Sequence, residues 1–177
     1  MHRYHIQGHI YFITTVVYAR RSLFTHPAYV LCLLDSLNYY RFAYSFKIIG
    51  YVIMPDHIHL LVWPQKEPNV EAFMRDLKKF SAVRIIRQAE VEDRVEDLEA
   101  FTQAGAETGR SQRKVWQDSY WDKNIFSDRF LRQKLNYMHR NPLRAGLVKG
   151  PELYPYSSYR NYLFGDDSLF EIDRGWS

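Results

Sequence analysis

The chain has 177 residues, 46% of them hydrophobic and 25% charged, which excludes a disordered chain and leaves enough length for one domain with a real core. Its single cysteine, Cys32, excludes an intrachain disulfide and a thiolate metal site, and fits an intracellular protein. The net charge of +4 is uneven: from Glu90 to Glu107 seven acids face one base, Arg94, so this segment carries −6, the rest carries +10, and the body is a candidate polyanion binder.

No apolar run approaches the roughly 18 residues of a membrane helix. The N-terminus MHRYHIQGHIYFITTVV has a short apolar core and no A-x-A-like cleavage site. Both absences point to a cytoplasmic protein with no membrane partner. Within that stretch HIYFITTVVY (9–18) is β-branched and aromatic and predicts a first strand. Arg20 and Arg21 follow in a loop. Pro27 opens a helix to about Arg41, with Val30, Leu33, Leu34 and Leu37 at helical spacing. FKIIGYVIM (46–54) and HIHLLVW (57–63) predict two strands joined by a tight Pro55-Asp56 turn.

Asn69 can cap a helix to about Gln88, with Val70, Phe73, Leu77, Phe80 and Val83 three or four residues apart. The acidic stretch then runs into TQAGAETGRSQRK, whose glycines and polar residues predict a mobile segment. We read one domain over 1–177 with an acidic polar insertion at about 89–114. VWQDSYWDKNIF (115–126) predicts an irregular turn and a fourth strand. Ser127 or Asp128 caps a last long helix, which Asn141-Pro142 ends, because a residue before proline avoids helical geometry. The tyrosine-rich tail PELYPYSSYRNYLFG predicts turns or a short helix. The order β-α-β-β-α-β-α predicts an α+β fold, a ferredoxin-like split βαβ antiparallel sheet with helices on one face and an additional C-terminal helix.

Two features carry chemistry. In MPDHIHLLVWP (54–64), His57 and His59 stand at i and i+2, so a strand projects both from one face. Paired neutral imidazoles can bind one divalent cation, serve as a proton relay, or pack as two satisfied core histidines. With oxygen ligands and substrate phosphates completing the shell, Mg²⁺ or Mn²⁺ suits the pair, whereas Zn²⁺ wants a third strong protein ligand. Asp56 is either a further ligand or turn chemistry. In the last helix Tyr137 lies four residues before Asn141, with Lys134 and Arg140 three residues on either side. A phenol beside cations and a metal can attack a phosphodiester. Spacing alone does not select Tyr137 over Tyr120, Tyr154 or Tyr159.

Together MPDHIHLLVWP (54–64), VWQDSYWDKNIF (115–126) and YMHRNPLRAGLV (137–148) resemble the single-tyrosine transposases with a His-hydrophobe-His motif. The likeness is nearest to the tyrosine transposases associated with repetitive extragenic palindromes in bacteria, and it spans nearly the whole chain. The resemblance implies a metal-dependent enzyme, using Mg²⁺ or Mn²⁺, that nicks and joins single-stranded or hairpin DNA through a 5′-phosphotyrosine. It implies His57 and His59 as metal ligands, Tyr137 as the nucleophile and Asn141 as a third polar ligand. It also implies a homodimer in which the tyrosine helix can serve the partner's histidines. Candidate DNA contacts are Arg20, Arg21, Lys78, Lys79, Arg84, Arg87, Arg129, Arg132, Lys134 and Arg144. Tyr120 and Trp121 are candidates for stacking on an extruded base, although aromatic rings more often pack in cores. The rival is a noncatalytic module that binds single-stranded nucleic acid on a ferredoxin-like sheet, with the histidines as core or stacking residues.

Overall fold

A computed structural model describes residues 5–176. Four strands form one antiparallel sheet in the order β2-β3-β1-β4, where β1 is Ile10–Val16, β2 Phe46–Met54, β3 His57–Pro64 and β4 Trp121–Ile125. This is the ferredoxin-like order expected from the chain. Alternation along the strands sends side chains to two faces, and each face has its own core. Tyr11, Ile13, Tyr51, Ile58 and Leu60 pack under α1 (Pro27–Ala43) and α2 (Val70–Val91). Phe12, Ile49, Val52 and Leu61 pack under α4 (Asp128–Arg144), with its Leu131, Leu135 and Met138.

A β-bulge between Ile48 and Gly50 shifts the register of β2 against β3. It places Gly50 beneath α4. A Cβ on Gly50 would lie 2.8 Å from Met138 Cε and 2.9 Å from Leu135 Cδ2, so the bare backbone lets α4 lie close to the sheet.

Local signals set the helix starts. Asn69 Oδ1 accepts from the Ala72 amide at the head of α2, and Ser127 Oγ accepts from Phe130 at the head of α4. Three expectations change. Phe80 and Val83 of α2 are 44% and 57% exposed, while Met74, Ile85 and Ala89 are buried. Successive steps of three residues rotate off the face that 3.6 residues per turn maintains. Helix α4 runs through Pro142 to Arg144 rather than stopping at Asn141. Proline's fixed φ is helical, and its missing amide costs one bond near the end of the last turn.

The third change is the acidic segment. Val95–Thr108 is a helix, α3, so the first part of TQAGAETGRSQRK, expected to be mobile, is helical, and residues 109–114 follow as irregular chain. Phe101 is buried in the α1/α2 core, and its carbonyl accepts from the Lys114 amide. Asp97 accepts from Arg94 (2.7 Å), Tyr29 (2.8 Å) and Arg21 (3.4 Å). Burial would raise the Asp97 carboxyl, but bonds from Arg94 and Tyr29 hold it below the usual range. The tail forms a short helix, α5 (Tyr159–Phe164), as expected. No helix among the described residues is long and apolar enough to cross a membrane.

Candidate active site

The site lies on the α4 face of the sheet, where strand register places side chains in rows. His59 of β3 stands opposite Thr14 of β1, which stands opposite Trp121 of β4. In the next row Leu61 faces Phe12, which faces Lys123. His57 faces Val16. The two imidazoles therefore share a face as their spacing requires, with ring centroids 4.8 Å apart.

Each ring is held by its Nδ1. His57 Nδ1 lies 2.5 Å from Asp56 Oδ1, and the other Asp56 oxygen accepts from Arg20 at 3.0 Å. Burial would raise the Asp56 carboxyl, yet His57 and Arg20 hold it below its ordinary range. A carboxylate only accepts, so the His57 nitrogen that donates in this bond is Nδ1, and Nε2 is the nitrogen left for another partner. His59 Nδ1 lies 2.7 Å from Thr14 Oγ1, which leaves its Nε2 open in the same way when Thr14 accepts. Asp56 thus orients a histidine through the turn, and neither of the two roles read for it from sequence describes that fully.

His59 is 5% exposed, and its ring stacks on Phe12 with centroids 5.1 Å apart and planes 24° apart. Burial, with the charges of His57 and Lys134, pushes its pKa down to about 3. The neutral, lone-pair-bearing form is therefore the resident one at physiological pH.

Tyr137 projects from α4 over this pair. Its ring centroid is 5.7 Å from His59 and 6.1 Å from Phe12, and the side chain is 39% exposed. Two cations flank the ring: Lys134 Nζ at 5.4 Å and Arg144 Cζ at 5.5 Å. Lys134 also sits 4.9 Å from the Phe12 ring, and burial followed by the Lys123 charge lowers its pKa. The other candidate tyrosines stand elsewhere. Tyr154 is buried with its hydroxyl donating to the Ile53 carbonyl, Tyr159 packs on His139, and Tyr120 lies against the α1/α2 core.

Asn141 is one turn beyond Tyr137, half-buried, with an amide nitrogen that is buried and lacks a hydrogen-bond partner. Amide oxygen and nitrogen are interchangeable by a flip, so one polar atom of this amide is buried and unsatisfied a helical turn from Tyr137. Two oriented imidazoles and one amide could hold a divalent cation that keeps water or phosphate oxygens in its shell. Among the described residues no cluster of three or more His, Cys, Asp or Glu could hold a metal.

The basic residues divide. Arg20, Lys134 and Arg144 stand around the histidines and Tyr137. Arg129 and Arg132 are exposed on α4, with Arg132 over the Trp176 ring. Lys78, Lys79, Arg84 and Arg87 lie on α2, across the sheet from the site, so the structure does not bring them to it. Lys78 donates to the carbonyls of Gln117, Asp118 and Ser119, which fixes the approach to β4. Arg84 pairs with Asp35, and Arg21 with Asp97. Sequence reasoning missed Phe12 and Thr14, because only strand register identifies them.

Comparison with known proteins bears on the family and the fold. The family model described as "Transposase IS200 like" matches residues 4–140. A protein of Haemophilus influenzae named among the REP-associated tyrosine transposases is 30% identical over 161 residues, covering 86% of this chain and 81% of that one. The REP-associated tyrosine transposase of Escherichia coli K12 is 24% identical over 159 residues, covering 89% and 80%. The solved structure of a REP-associated tyrosine transposase bound to a REP hairpin shares the fold, with a TM-score of 0.68 at 22% identity over 98% of this chain and 92% of that one. By sequence match over most of its length and by the fold of its sheet and helices, the chain belongs to the IS200-like transposase family.

Proposed function

We propose that this transposase nicks and rejoins single-stranded DNA at hairpin-bearing sites, with Tyr137 as the nucleophile. The observation that carries the reading is the Tyr137 ring 5.7 Å from His59, with both histidines held through Nδ1. A noncatalytic binding module has no use for two imidazoles oriented in this way. The relatives' names and the hairpin bound in the solved relative support DNA of this class as the substrate.

In the proposed step the Tyr137 oxygen attacks the scissile phosphate in line. The Oη–P bond forms as the P–O3′ bond breaks, leaving a 5′-phosphotyrosine and a 3′-hydroxyl that takes up the proton. A second 3′-hydroxyl reverses the step on another strand, so the bond is conserved and no nucleotide triphosphate is needed. Lys134 and Arg144 present positive charge to the attacking oxygen and the phosphate. His57, His59 and Asn141 would hold the divalent cation, Mg²⁺ or Mn²⁺, which when bound supplies Lewis-acid polarisation of the phosphate. Phe12 keeps His59 and Tyr137 in fixed relation, because its ring contacts both.

One chain supplies both histidines and the tyrosine, so a homodimer is not needed to complete the proposed site. The test uses labelled hairpin oligonucleotides from the source genome with and without Mn²⁺, resolved on a denaturing gel. The expected result is a Mn²⁺-dependent protein–DNA band that Tyr137→Phe abolishes. A band that survives Tyr137→Phe, or its absence with every hairpin tried, overturns the proposal.

A further inference from the structure

The surface beside Tyr137 carries more aromatic area than the nicking step uses. Trp121 and Lys123 project from edge strand β4 onto the site face, opposite Thr14 and Phe12. Trp121 is 50% exposed, and Phe126, just past the strand, is 74% exposed. Phe126 leans on Phe130, with centroids 5.2 Å apart. Two ammonium groups flank Phe130, Lys123 Nζ at 5.3 Å and Lys134 Nζ at 5.5 Å. Lys134 is also 5.9 Å from the Trp121 ring and 5.4 Å from Tyr137, so one cation joins the exposed rings to the proposed nucleophile. The acid of this strand, Asp122, turns to the opposite face and pairs with His5.

We infer that Trp121 and Phe126 form a stacking platform for the unpaired DNA bases that flank the phosphate at Tyr137, with Lys123 and Lys134 taking the neighbouring phosphates. This rests on the DNA-nicking reading and names the form of DNA the site accepts. Exposed rings alone would suit any apolar partner. Ammonium groups set among them select a polyanion that also offers flat apolar faces, and that is single-stranded nucleic acid. A duplex keeps its base faces stacked inside. The register supports the reach: two strand spacings separate Trp121 from His59, roughly 10 Å between backbones. A base adjoining the scissile phosphate spans that distance.

The test uses the full chain without added divalent cation, so that no strand is cut. Two hairpins share one stem, and one of them carries unpaired flanks with 2-aminopurine at successive positions. Stacking on an aromatic ring quenches that fluorophore. The expected result is quenching at the flank positions beside the cleavage point and tighter binding of the flanked hairpin. Trp121→Ala should restore emission and shrink the preference for the flanked hairpin about five- to hundredfold, the range covered by stacking one base. Trp121→Phe should keep both effects, which separates loss of a ring from loss of the fold. If Trp121→Ala and Phe126→Ala keep the quenching and the preference, the platform is overturned and the nicking reading stands. If the unaltered chain binds neither hairpin, the DNA reading beneath it falls as well.

Discussion

Thr14 Oγ1 lies 2.7 Å from Nδ1 of His59, directly across the β1–β3 ladder. The bond is to Nδ1, which leaves Nε2 as the nitrogen that would hold the proposed cation, and Asp56 treats His57 in the same way. Such partners fix the ring's orientation and tautomer, and losing one typically costs 10–100-fold in metal affinity or activity. Thr14→Val keeps the β-branched shape that a strand favours and removes only the hydroxyl. The Mn²⁺ concentration for half-maximal adduct formation should rise by about 10–100-fold, and Thr14→Ser should restore it. An unchanged Mn²⁺ requirement would mean that Thr14 does not orient His59.

Tyr137 faces the histidines of its own chain because Leu131, Leu135 and Met138 of α4 are buried against that chain's sheet, where Gly50 permits close contact. A mixture of His57→Ala and Tyr137→Phe chains should therefore form no more covalent adduct than either variant alone. Recovered adduct in the mixture would mean that α4 serves a neighbouring chain, as the family resemblance allows.

Stability should fall in acid through His139. Its ring is 6% exposed, its Nε2 lies 2.8 Å from Ser158 Oγ, and burial pushes its pKa down to about 4. Above pH 6.5 the folded and unfolded chains are both neutral at this residue. As the pH falls below that value the unfolded chain takes a proton and the folded chain does not, so stability drops until about pH 4. His59, also depressed by burial, adds to the same slope. The loss from His139 is of order 3 kcal/mol across that window, read by urea unfolding at successive pH values. His139→Gln should flatten that part of the profile, and an unaltered slope would assign the acid sensitivity elsewhere.

The readable parts of the sequence were those with local causes. Pro27, the Pro55-Asp56 turn, Asn69 and Ser127 mark element ends through their own backbone chemistry. Alternation in HIHLLVW put His57 and His59 on one face, and helical spacing put Lys134, Tyr137 and Asn141 together. Phe12, Thr14 and the exposure of Trp121 depend on how three strands align, and no single segment encodes that. The α2 lysines and arginines looked equivalent to those of α4, because one sequence does not say which side of the sheet a helix covers.

The helical part of TQAGAETGRSQRK is hidden in the sequence because Gly105 resembles linker composition. In an ordinary helix Gly→Ala stabilises by about 1 kcal/mol. Here a Cβ on Gly105 would lie 2.4 Å from the Gln112 carbonyl oxygen and 2.5 Å from that of Ser111. Both contacts are backbone, held in turn by the bond from the Lys114 amide to Phe101, so neither can swing aside as a side chain would. Gly105→Ala should therefore lower stability by about 1–3 kcal/mol, as overpacking does. Phe101→Ala, which empties a site in the main core, should cost about 3–5 kcal/mol. Denaturant unfolding of both variants checks the pair. A neutral or stabilising Gly105→Ala would mean that the segment after α3 is not packed on it, and that TQAGAETGRSQRK is the mobile segment its composition suggests.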